Sequence, residues 1–217
     1  MKKIGLITFH GSNNCGSMLQ AFALQKKIYD LGYTSTIINF SSRGQRDLYS
    51  IMPSFFLNGH FRKSQVKLWF LCIPFKNILK KENFDYKSFQ SKYFVMTEKE
   101  YYDNESLCNE DFDFDVYITG SDQVWNINCV DADDAYFLNF VKQGKKIAYA
   151  TSLGANDIKK TSCNSDKYVN YLKSFDFISV REMNAVSQIT SLSGRNDIQL
   201  QIDPTLFLTR EEWANSI

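Results

Sequence analysis

The residues with the clearest chemical potential follow a short apolar run in the middle of the chain. Residues 116–118 are Val-Tyr-Ile, three β-formers that predict a buried strand. Gly120 then permits a sharp turn because its backbone is unrestricted. Ligands of open α/β sheets bind beyond the carboxyl ends of strands, so this turn is predicted to offer a ligand a carboxylate, a hydroxyl and amides. A turn around a buried Trp fits the same residues equally well. The side chains concerned are Ser121, Asp122, Gln123, Trp125 and Asn126.

A second loop with binding potential precedes the first predicted helix. Residues 10–17 are rich in Gly, Ser and Asn, and Asn14, Gly16, Ser17 and Gln20 lie where the loop meets the helix. A helix N-terminus offers unpaired N–H groups that suit a phosphate or a carboxylate. The chain has no Walker lysine and no Gly-x-Gly-x-x-Gly, so a standard nucleotide loop is not predicted. An ordinary connecting loop is the alternative.

The same loop suggests a rival chemistry. Cys15 stands at the helix N-terminus, where a thiol pKa falls, and His10 is close enough in sequence to act as its base. A Cys–His hydrolase also needs a group that orients the base. The chain has only two histidines, His10 and His60, and shows no such third group.

Polar residues follow two further predicted strands. Ser152 and Gly154 are small enough to leave room for a sugar ring, and the Asn156 amide could bind a hydroxyl; a tight turn is the alternative. Arg181 can offer a bidentate fork to a carboxylate or a phosphate. The alternative is an ion pair between Arg181 and Glu182 at the start of a helix.

The end of the chain predicts a cap, a bend and a new helix. Asp203 before Pro204 fits a cap at a rigid bend, which we interpret as an interdomain hinge. A metal role for Asp203 with Asp122 is conceivable, but the spacing does not require one and no metal site is predicted. Thr209 and Glu212 fit a capping box, with Trp213 packed on the new helix. Since the chain stops at residue 217 after barely two turns, we expect residues 203–217 to begin a second domain that is cut off.

The elements that must position these residues alternate along the chain. Strands are predicted at residues 4–9, 34–40, 116–119, 146–150, 177–180 and 199–202, and helices at 17–31, at 166–174 and from 183 to about 192. This alternation indicates a doubly wound, mostly parallel α/β sheet of the Rossmann-like kind, covered on both faces and spanning residues 1–202.

Residues 43–111 interrupt that alternation and predict a helical excursion, broken at Pro53 and Pro74. Between residues 48 and 81 the chain has six basic residues, interleaved aromatics and no acidic residue. Such a surface could contact an anionic membrane peripherally. A solvated face over an apolar underside is favoured, because clean amphipathic periodicity is absent.

Composition excludes several classes of protein. The 217 residues fit one large domain or one and a half, and a net charge of +1 gives no indication of nucleic-acid binding. Five cysteines without Cys-x-x-Cys indicate neither a disulfide framework nor a zinc site. The first apolar run is too short for a signal peptide, and residues 68–75 are too few to cross a bilayer. A cytoplasmic protein is predicted, with peripheral contact at the inner face of the cell membrane as the second interpretation.

Five stretches in order resemble the polysaccharide pyruvyl transferase family. The strongest is residues 120–126, Gly-Ser-Asp-Gln-Val-Trp-Asn; the others are residues 14–20 with 23–25, 148–154, 178–182 and 203–206. Cys15 departs from the family pattern, in which an aromatic residue is more usual. The resemblance implies the first half of a two-domain, glycosyltransferase-B-like fold, with the donor-binding Arg and His residues largely in the other half.

The activity that the resemblance implies is transfer of a pyruvate ketal from phosphoenolpyruvate to a saccharide or lipid-linked saccharide, in cell-surface or exopolysaccharide biosynthesis. It implies no cofactor beyond phosphoenolpyruvate as co-substrate. Asp122 is then the expected general base, Arg181 the expected contact to the donor phosphate, and the other residues of the three loops the acceptor site. A nucleotide-sugar glycosyltransferase of the same architecture and a non-catalytic carbohydrate-binding domain are the alternatives. Binding of a nucleotide sugar without any response to phosphoenolpyruvate would favour the former, and saccharide binding without turnover the latter.

Overall fold

The computed structural model describes residues 2–52, 56–57, 60–61 and 63–217. The strands are β1 (Lys3–Ile7), β2 (Thr34–Ile37), β3 (Phe56–Leu57), β4 (His60–Phe61), β5 (Val116–Thr119), β6 (Lys145–Thr151), β7 (Phe177–Val180) and β8 (Gln199–Leu200). Within the described ranges, six parallel strands form one open sheet in the order β2-β1-β5-β6-β7-β8, and a separate antiparallel hairpin pairs β3 with β4. The predicted doubly wound α/β fold is confirmed, and the sheet is entirely rather than mostly parallel.

Helices cover both faces of the sheet. Leu6 and Ile118 pack in one apolar cluster with the helix Cys15–Asp30, whereas their neighbours Ile7 and Tyr117 pack in a second cluster with the helices Ser165–Lys173 and Met183–Ser193. Successive strand residues point to opposite faces, so each strand contributes to both clusters. The helices are α1 (Cys15–Asp30), α2 (Arg43–Leu48), α3 (Lys63–Cys72), α4 (Lys76–Tyr93), α5 (Asn104–Cys108), α6 (Ile158–Thr161), α7 (Ser165–Lys173), α8 (Met183–Ser193) and α9 (Arg210–Ser216), with 3-10 turns at Ile73–Phe75, Asp134–Phe137 and Pro204–Phe207.

The strand order reverses between β1 and β5. From β1 the chain passes through α1 to β2 on one side, and every later strand of the sheet lies on the other side. Ile7 pairs with Thr119, so these two strands end level with each other. Ligands of doubly wound sheets bind in the crevice at such a switch point, which therefore lies between the β1–α1 loop and the turn after β5.

Strand boundaries agree with the predictions where the strands are most buried. The strands at 116–119 and 177–180 are confirmed residue for residue. The strand predicted at 34–40 ends at Ile37. Ile38 still donates to the Leu6 carbonyl of β1, but from Asn39 onward the backbone bonds to the segment around Tyr101. The strand predicted at 199–202 is wrong beyond Leu200; Gln201 still donates to the Val180 carbonyl, but the chain then turns into the cap at Asp203.

The excursion between β2 and β5 is mainly helical, as predicted. Pro74 lies in the 3-10 turn that separates α3 from α4, whereas the predicted break at Pro53 lies outside the described residues. The β3–β4 hairpin was not predicted, since strands of two residues are too short to show a period. Among the described residues, no helix combines the length and apolarity that a bilayer crossing requires.

The last residues pack against the first helix. The capping box at Thr209 and Glu212 is confirmed. Trp213 was expected to pack on its own helix. It also contacts the Phe22 ring of α1, with ring centroids 5.7 Å apart. Its indole N–H also donates to the Thr205 carbonyl at 3.2 Å. Leu208 is buried in the same apolar cluster as α1, so residues 203–217 contribute to this core.

Candidate active site at the carboxyl edge of the sheet

Asp122 lies between the end of β5 and the start of α1. One carboxylate oxygen, Oδ2, accepts a hydrogen bond from Ser17 Oγ at 2.5 Å, and Oδ1 accepts one from the Gln123 backbone N–H at 2.7 Å. Asn14 caps α1 by accepting from the Ser17 backbone N–H. The structure thus brings the two predicted loops together at the switch point. Asp122 has a φ of +74°, in the left-handed region that Asp occupies more readily than most residues.

Gln20 and Ser121 support this arrangement from below. The Gln20 amide donates to Thr8 Oγ1 at 2.8 Å and to the Ser17 carbonyl, and its oxygen accepts from the Ser121 backbone N–H at 3.1 Å. Both side chains are buried. The prediction that Gln20 and Ser121 contact substrate is therefore wrong. The two side chains join the two loops to each other and do not reach the surface.

Gly120 occupies a position that excludes any side chain. Its φ is +113°, and a Cβ added there would lie 2.2 Å from the Tyr149 carbonyl oxygen of β6. The turn predicted at this residue is confirmed. The peptide bond between Gly120 and Ser121 is cis.

Trp125 belongs to the core. It is fully buried, its ring stacks on Phe137 with centroids 5.2 Å apart, and its indole N–H donates to the Tyr136 carbonyl at 3.0 Å. The prediction that Trp125 binds substrate is therefore wrong, and the alternative of a turn around a buried Trp holds for this residue. Trp125 ties the turn after β5 to the protein interior.

Amide side chains join the β5 turn to the loop after β6. Asn126 Nδ2 donates to Gln123 Oε1 at 3.0 Å, and Asn126 Oδ1 accepts from Asn156. A Cβ on Gly154 would lie 2.8 Å from Gln123 Oε1. The amides of Gln123 and Asn126 thus lie directly against Gly154. Gln123 is exposed and Asn156 partly exposed, so both remain accessible from solvent.

Ser152 and Glu182 form a separate contact beneath the amides. Ser152 Oγ and the Leu153 backbone N–H both donate to Glu182 Oε1 at 2.9 Å. The Ser152 backbone N–H donates to the Asp122 carbonyl at 2.9 Å. Ser152 is buried, so it positions the neighbouring loops and is not free to contact a ligand, contrary to the prediction.

Arg181 places a cation at this edge of the sheet. Its Nη2 lies 2.5 Å from Ser121 Oγ and 2.7 Å from Asp203 Oδ2, and 31% of its side chain is exposed. The alternative pairing of Arg181 with Glu182 is wrong, because Glu182 bonds to the loop after β6. Asp203 also caps the following turn through the Thr205 backbone N–H, as predicted. Arg181 therefore links the turn after β5 to the segment that follows β8.

The model of the polysaccharide pyruvyl transferase family matches residues 14–217, which include Ser17, Asp122 and Arg181. The chain belongs to the polysaccharide pyruvyl transferase family. The family consists of transferases, and its description implies a saccharide as acceptor. No curated protein and no solved structure matches the chain significantly.

A second carboxylate at this edge of the pyruvyl transferase chain escaped the sequence reasoning. Asp131 is 7% exposed, and burial, with the charge of Asp122 adding to it, raises its pKa. Burial also raises the pKa of the Cys129 thiol and of the Tyr49 hydroxyl, and in both groups the charges of Asp131 and Asp122 contribute. A buried carboxyl group with a raised pKa is suited to proton transfer. The acidic run at residues 131–134 was the only sequence signal for it.

The rival Cys–His chemistry is wrong for this member of the pyruvyl transferase family. His10 is buried, its Nδ1 lies 3.1 Å from the Thr8 carbonyl and its Nε2 lies 3.2 Å from Asn39 Oδ1. Cys15 Sγ instead lies 3.3 Å from the Tyr86 hydroxyl. Both ring nitrogens of His10 are thus engaged away from the thiol. Among the described residues, no group of three or more His, Cys, Asp and Glu side chains is arranged to hold a metal ion.

Proposed function

We propose that this protein transfers a pyruvate ketal group from phosphoenolpyruvate to two hydroxyl groups of a saccharide, in the biosynthesis of a cell-surface or exopolysaccharide. The reaction needs an acid that protonates the enol carbon, a base that accepts the proton of a sugar hydroxyl, and cations that hold the donor's phosphate and carboxylate. It needs no metal or organic cofactor. The observation that carries the proposal is the carboxylate of Asp122, held at the switch point of a family member's sheet.

Asp122 is the proposed general base. Ser17 and the Gln123 backbone N–H hold its two oxygens, so the carboxylate has a defined direction, while the residue stays partly exposed. Asp131 is the proposed partner acid, since its raised pKa favours the protonated form. Asp131 is buried, whereas Asp122 is partly exposed.

Arg181 is the proposed contact to the donor phosphate. Its pairing with Asp203 fixes one edge of the guanidinium, and the exposed part of the side chain remains open to an anion. Asn14, Gly16, Gln123 and Asn156 are exposed or partly exposed around the same crevice and are proposed to contact the saccharide acceptor.

Replacement of Asp122 by Asn tests the proposal in the complete enzyme. We expect turnover to fall more than acceptor affinity, because the amide keeps the shape but cannot accept a proton. The assay follows phosphate release from phosphoenolpyruvate and the mass increase of the acceptor. Asp115→Asn is the matched control, since Asp115 also accepts a backbone hydrogen bond but precedes β5 at the opposite edge of the sheet. Unchanged turnover in Asp122→Asn would remove Asp122 from the mechanism.

We also propose that residues 48–81 contact an anionic membrane surface, where a lipid-linked acceptor would be presented. Phe70, Leu71 and Phe75 have exposed fractions of 63%, 64% and 57%, and the segment carries lysines but no acidic residue. Exposed aromatics beside lysines favour an anionic interface. Co-sedimentation with vesicles that contain phosphatidylglycerol, but not with pure phosphatidylcholine, is the expected result; equal sedimentation with both would count against it.

A further inference from the structure

A polar pocket of about 350 Å³ lies beside the crevice, at the carboxyl ends of β1 and β2. Its walls come from the loops after these two strands, from α2 and from α4, with Asn39, Gln45, Asn83 and Lys87 among them. The volume is near the lower end of the range for small-molecule sites.

Gln45 is the unusual member of the lining. It is 1% exposed, and neither its Nε2 nor its Oε1 has a hydrogen-bond partner within the described part of the chain. Its backbone N–H is bonded to Ser42 Oγ, and a Cβ on Gly11 would lie 3.2 Å from its Oε1. Buried polar side-chain atoms are normally paired. Neither atom is exposed, so the side chain must rotate toward the pocket to bond a ligand; an amide that lacks both partners beside a pocket favours a ligand that both donates and accepts hydrogen bonds.

The rest of the lining narrows the chemistry of that ligand. Amides and hydroxyls predominate, and a sugar ring, whose hydroxyls both donate and accept, matches amide side chains well. The Tyr102 ring is held by the Arg46 guanidinium 4.3 Å from its centroid and by a hydrogen bond to Glu100. A fixed aromatic ring offers an apolar face to the C–H groups of a sugar.

The pocket is close to the proposed catalytic carboxylate. Tyr49 contributes to the pocket lining, and the charge of Asp122 is one of the causes that raise the pKa of its hydroxyl. Gly11 and Asn13 of the lining belong to the same loop that places Ser17 against Asp122. A ligand in the pocket would therefore lie on the α2 side of Asp122, at the same edge of the sheet.

We propose that this pocket binds one sugar ring of the saccharide acceptor, with the Gln45 amide bonded to its hydroxyls. The assignment of the ring to the acceptor rests on the proposed function. The binding itself is independent of phosphoenolpyruvate.

Saturation-transfer NMR with the methyl glycosides of glucose, galactose and mannose tests the proposal on the complete enzyme. We expect at least one glycoside to bind the wild type, and Gln45→Leu to weaken that binding about tenfold, the usual effect of losing hydrogen bonds to one side chain. Gln188→Leu is the matched control, since Gln188 also has a buried unpaired oxygen but lies on α8, and its binding should equal that of the wild type. Asn83→Ala, on the helical wall of α4, gives a second test if Gln45→Leu does not fold.

The outcomes separate the pocket from the reaction. Failure of every glycoside to bind the wild type, or equal binding by wild type, Gln45→Leu and Asn83→Ala, would overturn the pocket assignment. Pyruvyl transfer with an unchanged acceptor KM in Gln45→Leu would also overturn it while leaving the proposed function intact. Glycoside binding that depends on Gln45, in an enzyme that never consumes phosphoenolpyruvate, would keep the pocket and refute the transferase proposal.

Discussion

Trp125→Phe distinguishes a structural role of this tryptophan from contact with substrate. The phenyl ring keeps an aromatic face against Phe137, whose ring is stacked on Trp125 at an interplanar angle of 2°. The change removes the indole N–H that donates to the Tyr136 carbonyl. That carbonyl still accepts from Thr119 Oγ1 at 2.7 Å, so the substitution leaves no unpaired acceptor.

The expected loss of stability follows from these contacts. Removal of the hydrogen bond costs about 1 kcal/mol, because its acceptor remains bonded. The smaller ring leaves a void between Phe137 and Phe175 that costs a further 1–2 kcal/mol, roughly. The sum of about 2–3 kcal/mol corresponds to a Tm lower by roughly 4–12 °C for a chain of this size.

Thermal unfolding followed by circular dichroism measures the effect, with the acceptor KM determined on the same variant. Trp213→Phe is the matched control: Trp213 also donates its N–H to a backbone carbonyl, but it is only partly buried, so its Tm should fall less. Trp125→Phe should leave the acceptor KM unchanged. An unchanged Tm together with a raised KM would refute the argument and return Trp125 to the binding site.

Three further outcomes follow from the geometry. Gly120→Ala should lower the free energy of unfolding, measured in urea, by about 3 kcal/mol or more. Gly194→Ala is its control, since Gly194 also has a positive φ but open space around it, and it should lower that free energy by about 1–2 kcal/mol. Equal losses of stability in the two variants would contradict the clash with Tyr149. The raised pKa of Asp131 means that its contribution to stability is present below the ordinary Asp value and is lost as pH rises through the folded value. The Tm of Asp131→Asn relative to that of the wild type should therefore increase as the pH rises above about 4, and a difference in Tm that does not change with pH would argue against it. Cys15→Ser should retain full transferase activity, and a large loss would restore the nucleophile hypothesis.

The sequence was most informative where local rules decide the structure. The strand at 116–119 is a buried run that ends at a glycine, and the capping box at Thr209 and Glu212 needs only residues three apart. The β1–α1 loop and the turn after β5 lie near each other because the carboxyl ends of parallel strands share one edge, whereas the hydrogen bond from Ser17 to Asp122 was not predicted. These features depend on spacing and topology alone.

Contacts between distant residues set the limits of prediction. An indole after a strand looks the same whether it faces a cleft or the core, and Trp125 faces the core because Phe137 and Phe175 surround it. Asp131 was missed because its burial, and with it the raised pKa, depends on the tertiary packing around it. The pocket around Gln45 combines residues from 11 to 102, and no local pattern could have assembled it.

Helix α1 connects two places that are far apart in sequence. Near its first turn Ser17 holds the Asp122 carboxylate, and further along Phe22 contacts the indole of Trp213. A displacement of α1 caused by ligand binding at Asp122 would therefore change the surroundings of that indole. The emission of Trp213 would then provide an intrinsic optical signal for occupancy of the crevice, with Trp213→Phe as its blank, and titrations would need no added label.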